Sequence, residues 1–472
     1  MTKKVALVGA GPGGYVAAIR LAQLGAQVAL VEKEDIGGAC LNRGCIPTKA
    51  YARSAHLAQD MKNSQDLGLT FTGPIQVDGQ RLQDRKKEVV DKLVQGVSQL
   101  LASYDNIKTY PCQAQLVDSR TLKLRDKKGQ ESRLEDLDAI ILAQGASPFI
   151  PPIEGVDLEG VITSNELLDF TDIPSRLVVI GGGAIGLEFA SIYQELGSQV
   201  QVVTLDILEK SDKQIAKRIL PLLKKQGIQV HKDYLVDKIE KTEGGLRVSA
   251  HHRAKAKEVS LEGDYVLVAM GRRPVLEGLD LEGLGLKGDA RGLEVDEHFE
   301  TSLPGVYAIG DLIQGSSQLA HVASAQGEYV AEKIMGLDPQ INLEVYPSCV
   351  FTLNEVAQVG YTEEELKAAG IDYQVSRFNF AANGKALCDG EEVGFIKILA
   401  QEDGQLLGTH ILGPHASDLI GEAALAQAQG LGAQALIQTI HSHPSLSEAM
   451  AEAAGGLFDQ AIHLAPRKDR TR

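Results

Sequence analysis

Cys40 and Cys45 stand in the stretch "GGACLNRGCIPTK", residues 37–49, with four residues between them, in a chain that has five cysteines in all. Two thiols so close can ligate a metal, fill a core, or cycle between dithiol and disulfide. A structural zinc wants four ligands, and no further Cys or His stands nearby to complete the set, so no metal centre is expected. Inert burial stays open, because a free cysteine packs as a small apolar residue. Redox exchange makes use of the neighbours as well. In a regular helix, residues five apart have Cα atoms about 8–9 Å apart, beyond the roughly 7 Å that a disulfide spans. Gly44 and Pro47 are the residue types that let a helix depart from regularity. A bridge closed across such a bend is expected to be labile, which is what an exchange catalyst needs. Thiolate chemistry near neutral pH also needs a base. His441 and His443 are the candidates, with Glu448 close enough in sequence to orient a ring nitrogen.

The elements that must carry these groups are marked by a repeated pattern. The apolar run "VALV" at 5–8 leads into Gly9, Gly11 and Gly14, then a helical stretch, then "QVALV" ending in Glu32. That order is a βαβ unit. Its glycines permit a tight turn and close approach of a pyrophosphate to the helix N-terminus, and its terminal acid can accept from ribose hydroxyls. "RLVVIGGGAIGLEFASIYQELGSQVQVV" at 176–203 repeats the plan with Gly181, Gly183 and Gly186. Each unit is followed by a charged, turn-rich stretch that reads as antiparallel hairpins, and then by a buried strand ending in glycine: "AIILAQG" with Gly145 and "YVLVAMG" with Gly271. Two units imply two dinucleotides and an internal duplication.

The chain as a whole fits that plan. Its 472 residues call for several domains. A composition 44% hydrophobic and 23% charged is that of a soluble α/β protein. A net charge of -16 opposes attraction to nucleic acid phosphates and to anionic lipid, and the basic tail "PRKDRTR" is too short to reverse it. No stretch of 18 apolar residues could span a membrane, and the first dinucleotide motif begins directly, so the cytoplasm is the expected location.

"GGACLNRGCIPTK" behind a first dinucleotide fold, "GGGAIGLE" in the second, "MGRRP" at 270–274, "TSLPGVYAIGD" at 301–311 and "HPSLSE" at 443–448 together resemble the flavoprotein disulfide reductases. The resemblance runs over essentially the whole chain. It implies an α/β protein with two three-layer Rossmann-like domains, for FAD and for NAD, and a C-terminal α+β dimerisation domain. The implied division is 1–147 for the first part of the FAD domain, 148–276 for the NAD domain, 277–345 for the second part of the FAD domain, and 346–472 for the interface domain. Cys40 would be the interchange thiol and Cys45 the charge-transfer thiolate facing the flavin. Lys49 would lie by the flavin N5 and pair with Glu188. His443, with Glu448 behind it, would be the base, supplied by the second subunit of a homodimer, with His441 the alternative. Glu32, Gly38, Gly145, Asp311, Leu319, Ala320 and His321 would line the FAD site, and Thr204 and Gly271 the NAD site, alongside the glycines named above.

Within that family, "QLAHVASAQG" at 318–327 and "CIPTK" resemble the dihydrolipoamide dehydrogenases rather than the glutathione reductases. Oxidation of a dihydrolipoyl group on a carrier from another chain, with hydride passed to NAD, is therefore the expected activity. Three positions depart from the pattern. Thr204 stands where NAD-using relatives carry an acid, and Asp206 nearby disfavours a 2'-phosphate, so NAD is expected ahead of NADP. Ala184 replaces a bulkier residue. Arg43 lies inside the cysteine loop, where it lowers a thiol pKa or shifts the flavin potential, or is an exposed surface arginine. The alternatives are an NAD(P)H-dependent reductase of another small disulfide, glutathione reductase-like, and a non-catalytic flavin-binding redox-sensing subunit.

Overall fold

The computed structural model describes residues 2–465, so the tail "PRKDRTR" lies outside the described residues. Two five-stranded parallel sheets form the body. In the first, Lys4–Val8 lies between Gln27–Val31 and Ala139–Leu142, with Ile107–Tyr110 and Val306–Ala308 at the edges. In the second, Arg176–Ile180 lies between Gln199–Thr204 and Tyr265–Val268, with Gln229–Lys232 and Val161–Ile162 outside them. Each sheet thus carries its glycine-loop strand in the middle, flanked by the second strand of its βαβ unit and by the strand that ends in glycine. These central strands are buried on both faces, as unbroken Val/Ile/Leu runs in parallel sheets require.

The hairpin stretches form antiparallel three-stranded sheets: Cys112–Asp118, Thr121–Asp126 and Glu131–Leu134 in the first half, and Tyr234–Thr242, Gly245–His252 and Glu258–Gly263 in the second. Gly145 and Gly271, both at positive φ, start the two strands of an antiparallel ribbon, Ala146–Pro148 with Arg272–Pro274, which carries the chain from one half to the other and back.

The C-terminal part is a five-stranded antiparallel sheet of Ser348–Val350, Glu355–Gly360, Leu406–Gly413, Phe395–Ala400 and Gln374–Asn379. Helices Ala416–Ala428 and Glu448–Gly455 pack on one face through Ile420, Ala423, Met450 and Ala453. Phe395 and Leu412 on the other face join the core of the second dinucleotide unit. Burial on both sides explains why Phe395–Ala400 and Leu406–Gly413 carry hydrophobic residues without strict alternation.

One charge sits inside that contact. Lys397 is fully buried and donates to Asp212 Oδ2 at 2.8 Å and Glu363 Oε2 at 2.6 Å. Burial pushes the Glu363 carboxyl up, but the hydrogen bonds from Lys367 and Lys397 outweigh it and hold the pKa at about 2. The net shift is downward, so this contribution is complete above the unfolded carboxylate range and is lost as pH falls towards 2. Lys397→Met leaves the fully buried Asp212 carboxylate without its ammonium, while Glu363 keeps Lys367, and is expected to cost about 3–5 kcal/mol. Thermal unfolding at neutral pH measures that loss, and an unfolding temperature equal to the parent's would contradict it.

Candidate active site

The cysteine segment bends where the sequence places its glycine. Helix Gly38–Arg43 carries Cys40 and ends at Gly44, whose φ of -143° and ψ of -112° are far from helical. A new helix, Cys45–Asn63, starts with Cys45. The break lets the thiols approach. They hydrogen-bond to each other, and this bond is the main cause of opposite shifts: Cys40 is raised, with burial adding to the effect, while Cys45 is drawn down to about 7. Lys49 helps Cys45 ionise, against desolvation in its cleft and the Glu188 charge. The segment is pressed onto the first glycine loop, where a Cβ on Gly38 would lie 2.7 Å from the Gly11 Cα.

Replacing Cys40 with Ala removes the hydrogen bond that stabilises the neighbouring thiolate. The Cys45 pKa is therefore expected to rise above 7, read from ultraviolet thiolate absorbance against pH. A titration that does not move would show that the cysteine pair is uncoupled.

Lys49 lies one helical turn from Cys45, and its Nζ donates to Glu188 Oε2 at 2.9 Å. Glu188 is buried on helix Ala184–Glu195, and its other oxygen accepts from the Phe351 N–H at 3.0 Å. The ammonium also sits 4.1 Å from the centre of the Phe351 ring. One carboxylate thus ties the cysteine helix, the second dinucleotide unit and the C-terminal sheet together. The Phe351 contacts were not foreseen from sequence, since nothing local in "PSCVFTLNE" signals them.

Both dinucleotide loops have the same backbone sterics. Gly9 and Gly181 hold φ of 103° and 124°, and a Cβ on Gly14 or Gly186 would lie 1.9 or 2.3 Å from the carbonyl oxygen of Gly9 or Gly181. Helices Pro12–Gln23 and Ala184–Glu195 begin at Gly11 and Gly183 without a side-chain cap, which leaves their first N–H groups for an anion. Glu32 Oε2 accepts from the Ala10 N–H at 2.7 Å, at the mouth of the first loop. These features fit a bound dinucleotide pyrophosphate and ribose. Gly14→Val is expected to block that fit, measured as loss of the dinucleotide retained through purification; full dinucleotide occupancy would contradict it.

Beyond that loop, Asp311 Oδ2 lies 3.9 Å from Arg272 Nε. Burial raises the Asp311 pKa and lowers that of Arg272, and each is partly offset by the other's charge. Arg272, which stands in the "MGRRP" motif, was not singled out from the sequence. Leu319 is the N-cap of helix Ala320–Ile334, so Ala320 and His321 form its first turn, and His321 Nε2 lies 2.7 Å from the Pro347 carbonyl.

His443 and Glu448 lie far along the chain from the cysteines. His443 Nδ1 contacts Glu448 Oε1 at 2.9 Å, and Oε2 accepts from the Ser445 N–H at 2.9 Å. These two contacts hold the Glu448 carboxyl below its usual pKa, the backbone N–H having the larger effect. The His443 side chain is 79% exposed and keeps Nε2 free to face outward. His441 differs: its side chain is 8% exposed and its Nε2 is bound to Glu422 at 2.9 Å.

Against known families, residues 3–327 match pyridine nucleotide-disulphide oxidoreductase and residues 346–454 match the dimerisation domain of the same name. The chain belongs to the pyridine nucleotide-disulphide oxidoreductases. Among curated relatives, a dihydrolipoyl dehydrogenase of Geobacillus stearothermophilus is 39% identical, with 97% of each chain covered. One from Bacillus subtilis is 36% identical, covering 97% of this chain and 99% of the relative. The solved structure of LpdA from Mycobacterium tuberculosis superposes with a TM-score of 0.88 at 28% identity, covering 96% of this chain and 99% of that one. The HOCl-induced flavoprotein disulfide reductase RclA from Escherichia coli gives 0.83 at 27%, with the same coverage.

In this oxidoreductase the positions that depart from the family pattern are accounted for locally. Arg43 pairs with Glu34 at 2.7 Å, both half-exposed, and is not among the leading causes of either thiol shift. Ala184 opens its helix beside the second glycine loop. Thr204 is buried, with its hydroxyl donated to the Asp206 carbonyl at 2.8 Å. Among the described residues no group of three or more His, Cys, Asp or Glu side chains is arranged to hold a metal, and no helix is long and apolar enough to cross a membrane.

Proposed function

We propose that this oxidoreductase is a dihydrolipoamide dehydrogenase, oxidising dihydrolipoyl groups on a separate carrier protein and passing the electron pair through FAD to NAD. The observation that carries the reading is the geometry of the pair: Cys40 and Cys45 stand on two helices broken at Gly44, with Lys49 one turn from Cys45 and anchored by Glu188. Near-full-length likeness to curated dihydrolipoyl dehydrogenases supports the substrate.

FAD would be held by residues 1–147 and 277–345, with Gly9, Gly11, Gly14, Glu32, Gly38 and Gly145 on one side and Asp311, Leu319, Ala320 and His321 on the other. The nicotinamide dinucleotide would lie in 148–276 around Gly181, Gly183, Gly186 and Gly271. When bound, FAD supplies the relay that carries an electron pair from a sulfur to the nicotinamide.

The remaining work falls to this chain's own residues. In the oxidised form Cys40 and Cys45 share a disulfide. His443, acting across a homodimer built on the C-terminal domain, takes the proton of one substrate thiol. The thiolate attacks Cys40 Sγ, the Cys40–Cys45 bond breaks, and Cys45 leaves as a thiolate stabilised by Lys49. The second substrate thiol then displaces Cys40, its proton passing to the departing Cys40 sulfur, whose pKa is the raised one. The substrate leaves as a cyclic disulfide, and its two electrons remain on the cysteine pair. Glu448 keeps the imidazole aimed and stabilises it when charged. Glu188 and Phe351 fix the Lys49 ammonium.

Steady-state turnover of dihydrolipoamide with NAD, compared with glutathione disulfide and NADPH, tests the reading. Turnover with the first pair is expected; turnover with the second alone would mean a reductase of another small disulfide. Bound flavin with no turnover on either pair would mean a sensing subunit.

A further inference from the structure

The internal repeat supplies its own comparison. In the first unit the acid closing the second strand, Glu32, accepts from the N–H of Ala10, between the first two glycines, and from the N–H of Glu34 at 2.9 Å. Its carboxylate is therefore fixed at the mouth of the loop. The matching residues in the second unit are Gly182 and Thr204, and Thr204 spends its hydroxyl on its own turn.

That turn is tight and folds back over the glycine loop. The Leu208 N–H donates to the Gly182 carbonyl at 2.9 Å, Leu208 adopts a φ of 46°, and Ile207 and Leu208 are buried. A Cβ on Gly182 would lie 2.3 Å from the Asp206 carbonyl oxygen, so residue 206 is packed directly on the loop. Its carboxylate, 44% exposed, is held by the Ile207 N–H at 2.8 Å and by Lys232 Nζ at 2.8 Å. Lys232 pairs with Thr204 in the sheet. The neighbouring Arg253 is bound to Asp233 at 2.8 Å.

We propose that Asp206, and not residue 204, reads the adenosine ribose of the nicotinamide dinucleotide, with Lys232 as the positioning residue that holds its carboxylate on the turn whose backbone packs against the second glycine loop. This rests on the cofactor assignment above. A carboxylate there accepts from ribose hydroxyls and repels a 2'-phosphate. The Lys232 charge, neutralised by Asp206, gives a 2'-phosphate little attraction. The acid lost at the end of the strand is replaced two residues later by shortening the turn.

Asp206→Asn keeps the shape, removes the charge and releases Lys232. The KM for NAD should rise about tenfold with kcat within about twofold, the KM for NADP should fall, and the preference for NAD should drop by well over tenfold. Lys232→Met should raise the KM for NAD by a smaller factor, with Lys232→Arg restoring it. The preference is measured with dihydrolipoamide, as oxidation of NADH against NADPH by an artificial dye acceptor, which needs no lipoyl substrate, and as the dissociation constants of NAD and NADP by calorimetry, which needs no turnover. An Asp206→Asn enzyme with the parent's NAD-to-NADP preference in the dye assay overturns the proposal. Failure of dihydrolipoamide alone, with the dye preference shifted as expected, would count against the substrate reading and leave the Asp206 assignment standing.

Discussion

Cys45→Ser is expected to retain FAD while its dihydrolipoamide turnover falls by at least about a thousandfold. The serine hydroxyl fits where the thiol was, so the Gly44 bend, the Lys49–Glu188 pair and the glycine loop remain intact. What disappears is the sulfur that leaves when substrate attacks Cys40. Without that leaving group the substrate has no disulfide to exchange with, and the pair has no second site for the electrons. The parent's Cys45 ionises near pH 7, whereas a serine hydroxyl does not ionise in the working range. Turnover within tenfold of the parent's would mean that electrons reach the flavin by a route that avoids the pair.

The second large effect belongs to His443. His443→Gln is expected to lower turnover by about 10²- to 10⁴-fold, the usual span for a positioned general base. The fall should be concentrated in the step that accepts the dithiol, so flavin reduction by NADH should stay near the parent rate. Glu448→Gln keeps the geometry with a neutral partner and should give a smaller loss in the same step. His441→Gln is the informative contrast, because that ring is buried and spent on Glu422. Its change should be felt in stability more than in dithiol oxidation, measured by pairing thermal unfolding with rapid-mixing kinetics. A dithiol step slowed by His441→Gln and untouched by His443→Gln would exchange the two roles.

Much of the architecture could be read in advance because it follows from local sterics. Gly9 and Gly181 need positive φ, Gly14 and Gly186 leave no room for a Cβ against the loop carbonyl, and the strands around them are unbroken apolar runs. The break between Cys40 and Cys45 was legible for the same reason, since a helix carrying both could not bring them together. The links made over long sequence separations were less visible. Glu188 could be named from a motif, but its second bond to the Phe351 backbone could not, because it depends on how the C-terminal sheet docks. Lys397 looks like an ordinary strand lysine and is in fact sealed between Asp212 and Glu363. Thr204 was chosen by spacing from Gly186, and spacing cannot reveal that the following turn folds back and carries Asp206 onto the loop.

The central claim is that an electron pair moves between the Cys40–Cys45 disulfide and a bound flavin. Anaerobic titration of the purified, oxidised protein with dihydrolipoamide, followed by flavin absorbance and thiol count after removal of small molecules, tests this most directly. With excess dithiol the account predicts four electrons taken up per chain, two as one disulfide's worth of new thiol and two as bleaching of the flavin band, both abolished in Cys45→Ser. A thiol count that stays constant under excess dithiol while the flavin is fully reduced would contradict it.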